Sequence, residues 1–195
     1  MTTTTMKMSR AIGAAAAAAI GLTLLTGCGG DAAALPEGWG KLDTKSLSVG
    51  YPENKGYKEQ SAADRAKANA AVALKEEDGL RSGMVSVQLD FATGVDDAGE
   101  AAAAAGAGIG LGATRKNTSD VRLAGAESAR EARRIDYEFT SSGEDRTPAP
   151  GTPMTGVVVA GVDSKHVPFA VRINAVKGSL SRQDLDAFVD SITVK

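Results

Sequence analysis

The sequence predicts an α+β fold, a twisted and mostly antiparallel sheet of about six or seven strands with helices packed on its faces. Apolar and polar residues alternate in several short runs, most clearly from Met84 to Phe91 and from Ala132 to Thr140. Turn residues separate such runs at hairpin spacing, as Glu77-Asp78-Gly79 does. Long helical grammar occurs in two places, one rich in alanine and glycine behind Asp96-Asp97, the other capped by Ser181 near the C-terminus.

The chain begins with a segment of another kind. Lys7 and Arg10 precede an apolar run from Ala11 to Leu25, which leads through Thr26 and Gly27 to Cys28 and then Gly29-Gly30-Asp31. A basic start, an apolar stretch of about 15 residues and small residues at a cut are signal-peptide grammar, and the run is shorter than the roughly 20 residues a membrane span needs. Leu25-Thr26-Gly27-Cys28 resembles the bacterial lipobox. The resemblance implies that the Cys28 thiol receives a diacylglycerol, that cleavage falls between Gly27 and Cys28, and that the new N-terminus is acylated. Residues 1–27 are then a lipoprotein signal peptide, 28–36 a flexible tether and 37–195 a single α+β domain. Met6 or Met8 would give a tighter basic region than Met1 with its Thr2 to Thr5 run.

Removing Lys7 and Arg10 with the signal peptide leaves 20 basic and 24 acidic residues, a net charge of −4. Nucleic-acid affinity comes mostly from clustered Lys and Arg neutralising phosphates, so this balance speaks against that class of partner. Cys28 is the sole cysteine. The domain therefore has no disulfide, and burial of apolar surface must hold it together outside the cytoplasm.

Trp39, just past the tether, reads as a plug in the core. Leu47, Val49 and Tyr51 alternate with small residues until Pro52, which predicts a strand over Ser46 to Tyr51. Ser61, with Asp64 behind it, predicts a short helix over Ser61 to Ala68. Ala71 to Lys75 and Met84 to Phe91 form a hairpin about Glu77-Asp78-Gly79, with Val72 and Leu74 on one side. Val95 to Thr114 predicts a helix whose alanines pack closely on a neighbour and whose glycine-rich end, Gly106 to Gly112, is frayed or bent, since Gly costs about 1 kcal/mol relative to Ala there.

Ser119 to Leu123 reads as a short strand and Ala124-Gly125 as a turn. Ala132 to Thr140 places Ile135, Tyr137 and Phe139 on one side and Arg134, Asp136 and Glu138 on the other, a face expected to be solvated. Ser142 to Pro153, with three prolines and two glycines, is a mobile loop. Thr155 to Val162 and Val167 to Val176 form a hairpin around Asp163-Ser164-Lys165. Val157-Val158-Val159 predicts a central strand covered on both faces, and Pro168 an edge or bulge in its partner. Ser181 and Asp184 form a capping box, Leu180 staples to Leu185, and Leu185, Phe188, Val189 and Ile192 make a stripe that lies on a sheet. This helix is expected to close the domain.

The motifs that could carry chemistry are sparse. Gly108-Ile109-Gly110-Leu111-Gly112-Ala113 fits G-x-G-x-x-A, but a dinucleotide fingerprint needs a strand before the glycines and a helix after them, whereas these close a helix. Their GxxxG spacing lacks the length of a membrane span. His166, the single histidine, falls at a hairpin turn with no G-x-S-x-G elbow in the chain, so it is not read as catalytic. Zinc would have to rely on carboxylates and His166, and Glu76-Glu77-Asp78 and Asp96-Asp97 lack calcium-loop spacing. Arg130, Arg133 and Arg134 are a dense basic cluster, expected to be balanced by Glu131, Asp136 and Glu138 on an open sheet face. No catalytic residue, metal ligand or cofactor-binding residue is assigned, and no cofactor is implied.

Leu35-Pro36-x-Gly38-Trp39, Leu47-Ser48-Val49-Gly50-Tyr51-Pro52 with Gly56-Tyr57 behind it, Ile135-Asp136-Tyr137 and Phe188-Val189-Asp190-Ser191-Ile192 resemble the PsbP-like fold, to which actinobacterial lipoproteins of the LpqN type are similar. Tyr57 stands where that family more often has Trp. The resemblance implies a membrane-anchored, extracytoplasmic binding or scaffold module with no catalytic residues to carry over. Its partners would be the membrane, through the lipid on Cys28, and a cell-envelope protein or ligand. The rival reading is a small cell-surface hydrolase, which needs a cleft with two acidic groups within reach of each other, for example beneath the Ser142 to Pro153 loop. A two-lobed transport-binding protein would need a longer chain.

Overall fold

Eleven strands and two helices follow one another in the computed structural model, which describes Met1 and residues 33–110 and 112–195. The expected signal peptide, the cut between Gly27 and Cys28, the lipid-bearing Cys28, the start of the tether and Leu111 lie outside the described residues. In chain order the strands are β1 (Trp39–Asp43), β2 (Leu47–Pro52), β3 (Tyr57–Glu59), β4 (Ala71–Glu77) and β5 (Leu80–Leu89). Helix α1 (Ala98–Ala107) precedes β6 (Thr114–Arg122), β7 (Ala124–Gly125), β8 (Glu131–Thr140), β9 (Pro153–Val162) and β10 (Pro168–Val176). Helix α2 (Arg182–Asp190) and β11 (Thr193–Val194) complete the chain.

These strands form two sheets, not one. A seven-stranded sheet runs β3-β4-β5-β10-β9-β8-β6 with every pairing antiparallel. A smaller four-stranded sheet runs β1-β2-β11-β7, and its β11–β7 pair is parallel. Alternation along β9 separates the two faces of the large sheet. Val157 and Val159 point into a core shared with Leu47, Val49, Phe188 and Ile192, so the small sheet and α2 cover that side. Val158 and Ala160 point into a second core with Ala101, Ala102 and Ala105 of α1. The Val157-Val158-Val159 run is apolar throughout because both of its faces are covered, as its composition predicts.

Each helix follows its local grammar where the packing allows. The Asp97 side chain caps α1 by accepting from the Glu100 N–H at 2.8 Å. A Cβ at Gly106 would stand 2.6 Å from Arg115 Nη2 and 3.3 Å from Ile135 Cδ1, so the small residues of α1 do set a close approach to the sheet. The helix stops at Ala107, however: Gly106 is still helical, Gly108 to Gly110 are not, and Thr114 already begins β6. In α2 the Ser181 hydroxyl accepts from the Asp184 N–H while Asp184 accepts from the Ser181 N–H, the capping box that the sequence shows. Phe188 lies 4.9 Å from Trp39 and 5.9 Å from Tyr57, ring centroid to centroid, which places Trp39 against the core.

Several expectations are corrected. The helix expected over Ser61 to Ala68 is a series of turns. Ser61 does bond Asp64 at 2.6 Å, but the segment has no apolar stripe to bury, and a cap alone does not sustain so short a helix. Ala124-Gly125 is a strand, because it has β11 to pair with. The helix α2 does not close the domain: β11 follows it and lies between β2 and β7. Pro168 begins a central strand, where the first position needs no ladder N–H. The Arg134 face is roofed by α2, which leaves the Arg134 side chain 10% exposed between Asp136 and Asp186.

Candidate functional site

On the outer face of the large sheet, beyond the end of α1, β5, β8, β9 and β10 form the floor of a cleft of about 510 Å³. Two segments that the sequence sets apart as irregular make its walls: Gly108, Ile109, Gly110, Gly112 and Ala113 on one side and the loop between β8 and β9 on the other. The loop is held by its own polar groups. Ser141 is buried and its Oγ donates to the Pro148 carbonyl at 2.6 Å, while the Ser141 and Gly151 N–H groups close the loop onto Thr152 and Ser141. The Arg81 N–H donates to the Arg146 carbonyl at 2.7 Å, which ties the loop to β5.

The floor is apolar with a few fixed polar groups. Leu74, Met84, Phe139 and Met154 supply the apolar part. Tyr137 crosses from β8 over Gly156 of β9, and its hydroxyl donates to Asn174 Oδ1 on β10 at 2.5 Å. Only glycine fits at position 156, because a Cβ there would sit on the Tyr137 ring. Burial raises the Tyr137 pKa, with Arg172 and Asn174 opposing the shift, so the hydroxyl keeps its proton and its role as donor. Arg172 reaches the Ala105 and Gly108 carbonyls at 3.4 Å and so caps the end of α1 from the sheet.

Arg81 is different. One extra residue in β5 at the Lys75/Glu76 irregularity shifts the alternation and brings Arg81 to the cleft with Met84. Its Nε is sealed from solvent and has no hydrogen-bond partner, and among the described residues no carboxylate lies within ion-pair distance of its guanidinium. Asp145 is the one carboxylate among the described residues of the cleft wall.

The basic cluster of the sequence is divided: Arg130 and Arg134 line one pocket with Asp186 and Asp190, and Arg133 lies apart from them. Arg130 Nε donates to the Gly125 carbonyl at 2.7 Å, Arg133 faces outward onto Asp120 at 2.9 Å, and Arg134 is bound under α2. His166 sits exposed in the β9–β10 turn at φ 58°, away from the cleft. Gly108 and Gly110 do line the cleft, but Gly108 is the C-cap of α1, so no helix N-terminus faces a phosphate there. Among the described residues no three His, Cys, Asp or Glu are grouped to hold a metal ion, and no helix is long and apolar enough to cross a membrane. Sequence reasoning missed Arg81, Arg172, Met84 and Met154 as residues lining the cleft. Their signal was the two irregular segments bracketing the same strands, which becomes visible only once β5 and β10 are known to be neighbours.

No protein-family model and no curated protein matches the sequence. Among solved structures the chain is similar to cyanobacterial PsbP (CyanoP) from Synechocystis sp. PCC 6803, at 13% identity and a TM-score of 0.46 over 88% of this chain and 99% of that one. It is also similar to a protein of Bacteroides thetaiotaomicron VPI-5482, at 10% identity and a TM-score of 0.42 over 76% of this chain; the match spans 45% of that protein's length. At such identities no residue's role passes from either protein to this chain.

Proposed function

We propose that this chain is a non-catalytic binding module, held on the extracytoplasmic face of the membrane by a lipid on Cys28, with the cleft under the β8–β9 loop as its binding site. The observation that carries the reading is the cleft itself. An apolar floor with a few fixed polar groups is the usual make-up of a ligand pocket, and about 510 Å³ lies in the range of such sites. The hydrolase reading asked for two acidic groups facing each other in this place. Among the described residues of the wall Asp145 has no such companion, which favours binding over acid-base catalysis.

The tether is supported by the sequence pattern before Cys28, and the PsbP-like resemblance accords with an adaptor or scaffold role. A photoreactive phenylalanine derivative at Ile109, on the cleft wall, compared with one at Lys165 in the exposed β9–β10 turn, tests the site in intact cells. Crosslinks from position 109 and none from 165 are expected; equal yields from both would remove the cleft from the proposal. Intact-mass spectrometry of wild type beside Cys28→Ala tests the tether. Wild type should begin at Cys28 and carry acyl mass, and wild type without lipid would end the anchoring proposal.

A further inference from the structure

We propose that the cleft takes an apolar monocarboxylic acid, with Arg81 as the residue that binds its carboxylate; this rests on the cleft being the binding site. A buried polar atom without a partner is uncommon, because its desolvation goes uncompensated. Arg81 Nε is such an atom, and the side chain that carries it lines the cleft with no ion-pair partner among the described residues, so the cleft holds a cation whose burial is uncompensated. A guanidinium presents parallel N–H donors that match the two oxygens of a carboxylate.

Charge fixes the valence of the ligand. Arg81 and Arg172 contribute two positive charges to the wall and Asp145 one negative charge. A single anionic group neutralises the remainder, whereas a phosphate dianion would leave an excess facing Asp145. Position decides which arginine acts. Arg172 pairs in register with Ser86 and is already turned toward the α1 carbonyls, while Arg81 lies further along β5 with its Nε unpartnered among the described residues. Between the two run Met84, Phe139 and Met154, an apolar floor beside which a polar ligand body would lose its hydration without return. Methionines at two of these three places adapt their shape to an alkyl or aryl chain.

The test uses the intact lipoprotein in phospholipid nanodiscs and two photoprobes, a diazirine-bearing dodecanoic acid and the matching dodecanol, with labelled peptides mapped by mass spectrometry. The acid should label the cleft peptides about tenfold to a hundredfold more than the alcohol, the range expected for a charge-assisted pair. Arg81→Met should reduce acid labelling to the alcohol's level, with Arg172→Met changing it less. Gly110→Trp should abolish labelling by both, since Gly110 lines the cleft with open space where its side chain would be. Equal labelling of the cleft by acid and alcohol overturns the carboxylate assignment and leaves the site standing. Labelling by neither probe, or labelling that Gly110→Trp leaves unchanged, overturns both. The wild-type comparison decides the question even if Arg81→Met fails to fold.

Discussion

Arg134 shows how a residue read as surface becomes structural once its neighbours are known. Its guanidinium binds Asp136 at 2.7 Å and Asp186 at 2.6 Å, with the two carboxylate side chains 19% and 45% exposed. Replacing Arg134 by Met leaves both acids without their cation, and a loss of roughly 2–3 kcal/mol is expected in urea unfolding. Asp186→Asn should cost under about 1 kcal/mol, because that side chain is nearly half in water. Asp163 gives a pH-dependent case. Burial pushes its carboxyl up, but hydrogen bonds from Ser46 and the Val167 and Lys165 N–H groups outweigh this and hold it below the ordinary 3.8. A carboxyl with a depressed folded pKa stabilises fully above its unfolded value and loses that contribution as pH falls through the folded one. Asp163→Asn should therefore be less stable than wild type near neutral pH, and the gap between their urea midpoints should close below pH 3.8. A gap that stays constant would refute this linkage.

At the level of elements, what the chain makes legible is whatever has its own periodicity. Residues 84–89 and 132–140 alternate because one face is apolar core, and the Ser181–Asp184 box is local chemistry, so both were readable. Strands β3, β7 and β11 were not, since two or three residues have no period and exist through their partners. The helix expected over Val95 to Thr114 was readable at its capped start, but the glycines end it at Ala107. Gly125 is the plainest case of a partner dictating conformation: it has φ +110° and its Cβ would strike the Val194 carbonyl. Gly125→Ala should cost about 1–3 kcal/mol in strain and speed hydrogen exchange at the Ala126 amide, which donates to Val194. Phe188→Ala removes the ring that joins α2 to Trp39 and Tyr57, with an expected loss of about 3–5 kcal/mol in thermal or urea unfolding.

For the molecule as a whole, the division of labour between faces decides where function can sit. The inner face of the large sheet is committed to the small sheet and α2, and the outer face to α1 as far as Ala107. Beyond that residue the helix is replaced by glycines, and the sheet there lies open under the β8–β9 loop. Ending the helix early therefore makes the cleft. The sequence marked both irregular segments but could not say that they border one space, because that depends on β5 pairing with β10, where Leu89 meets Phe169 far along the chain. Filling that space is also a test of stability against function. Gly156→Ala forces Tyr137 off β9 and into the cleft, so it should cost about 1–3 kcal/mol and lower ligand occupancy together.

Gly110→Trp separates the two effects, since its ring enters open space on the wall. Native mass spectrometry of wild type and Gly110→Trp, each purified as the full chain from the cells that express it, is the most direct measurement of the binding site. Wild type should carry one non-covalent small molecule per chain, and Gly110→Trp, with an unchanged melting temperature, should carry none. A ligand-free wild type, or a plugged variant with undiminished occupancy, would contradict the assignment of the cleft.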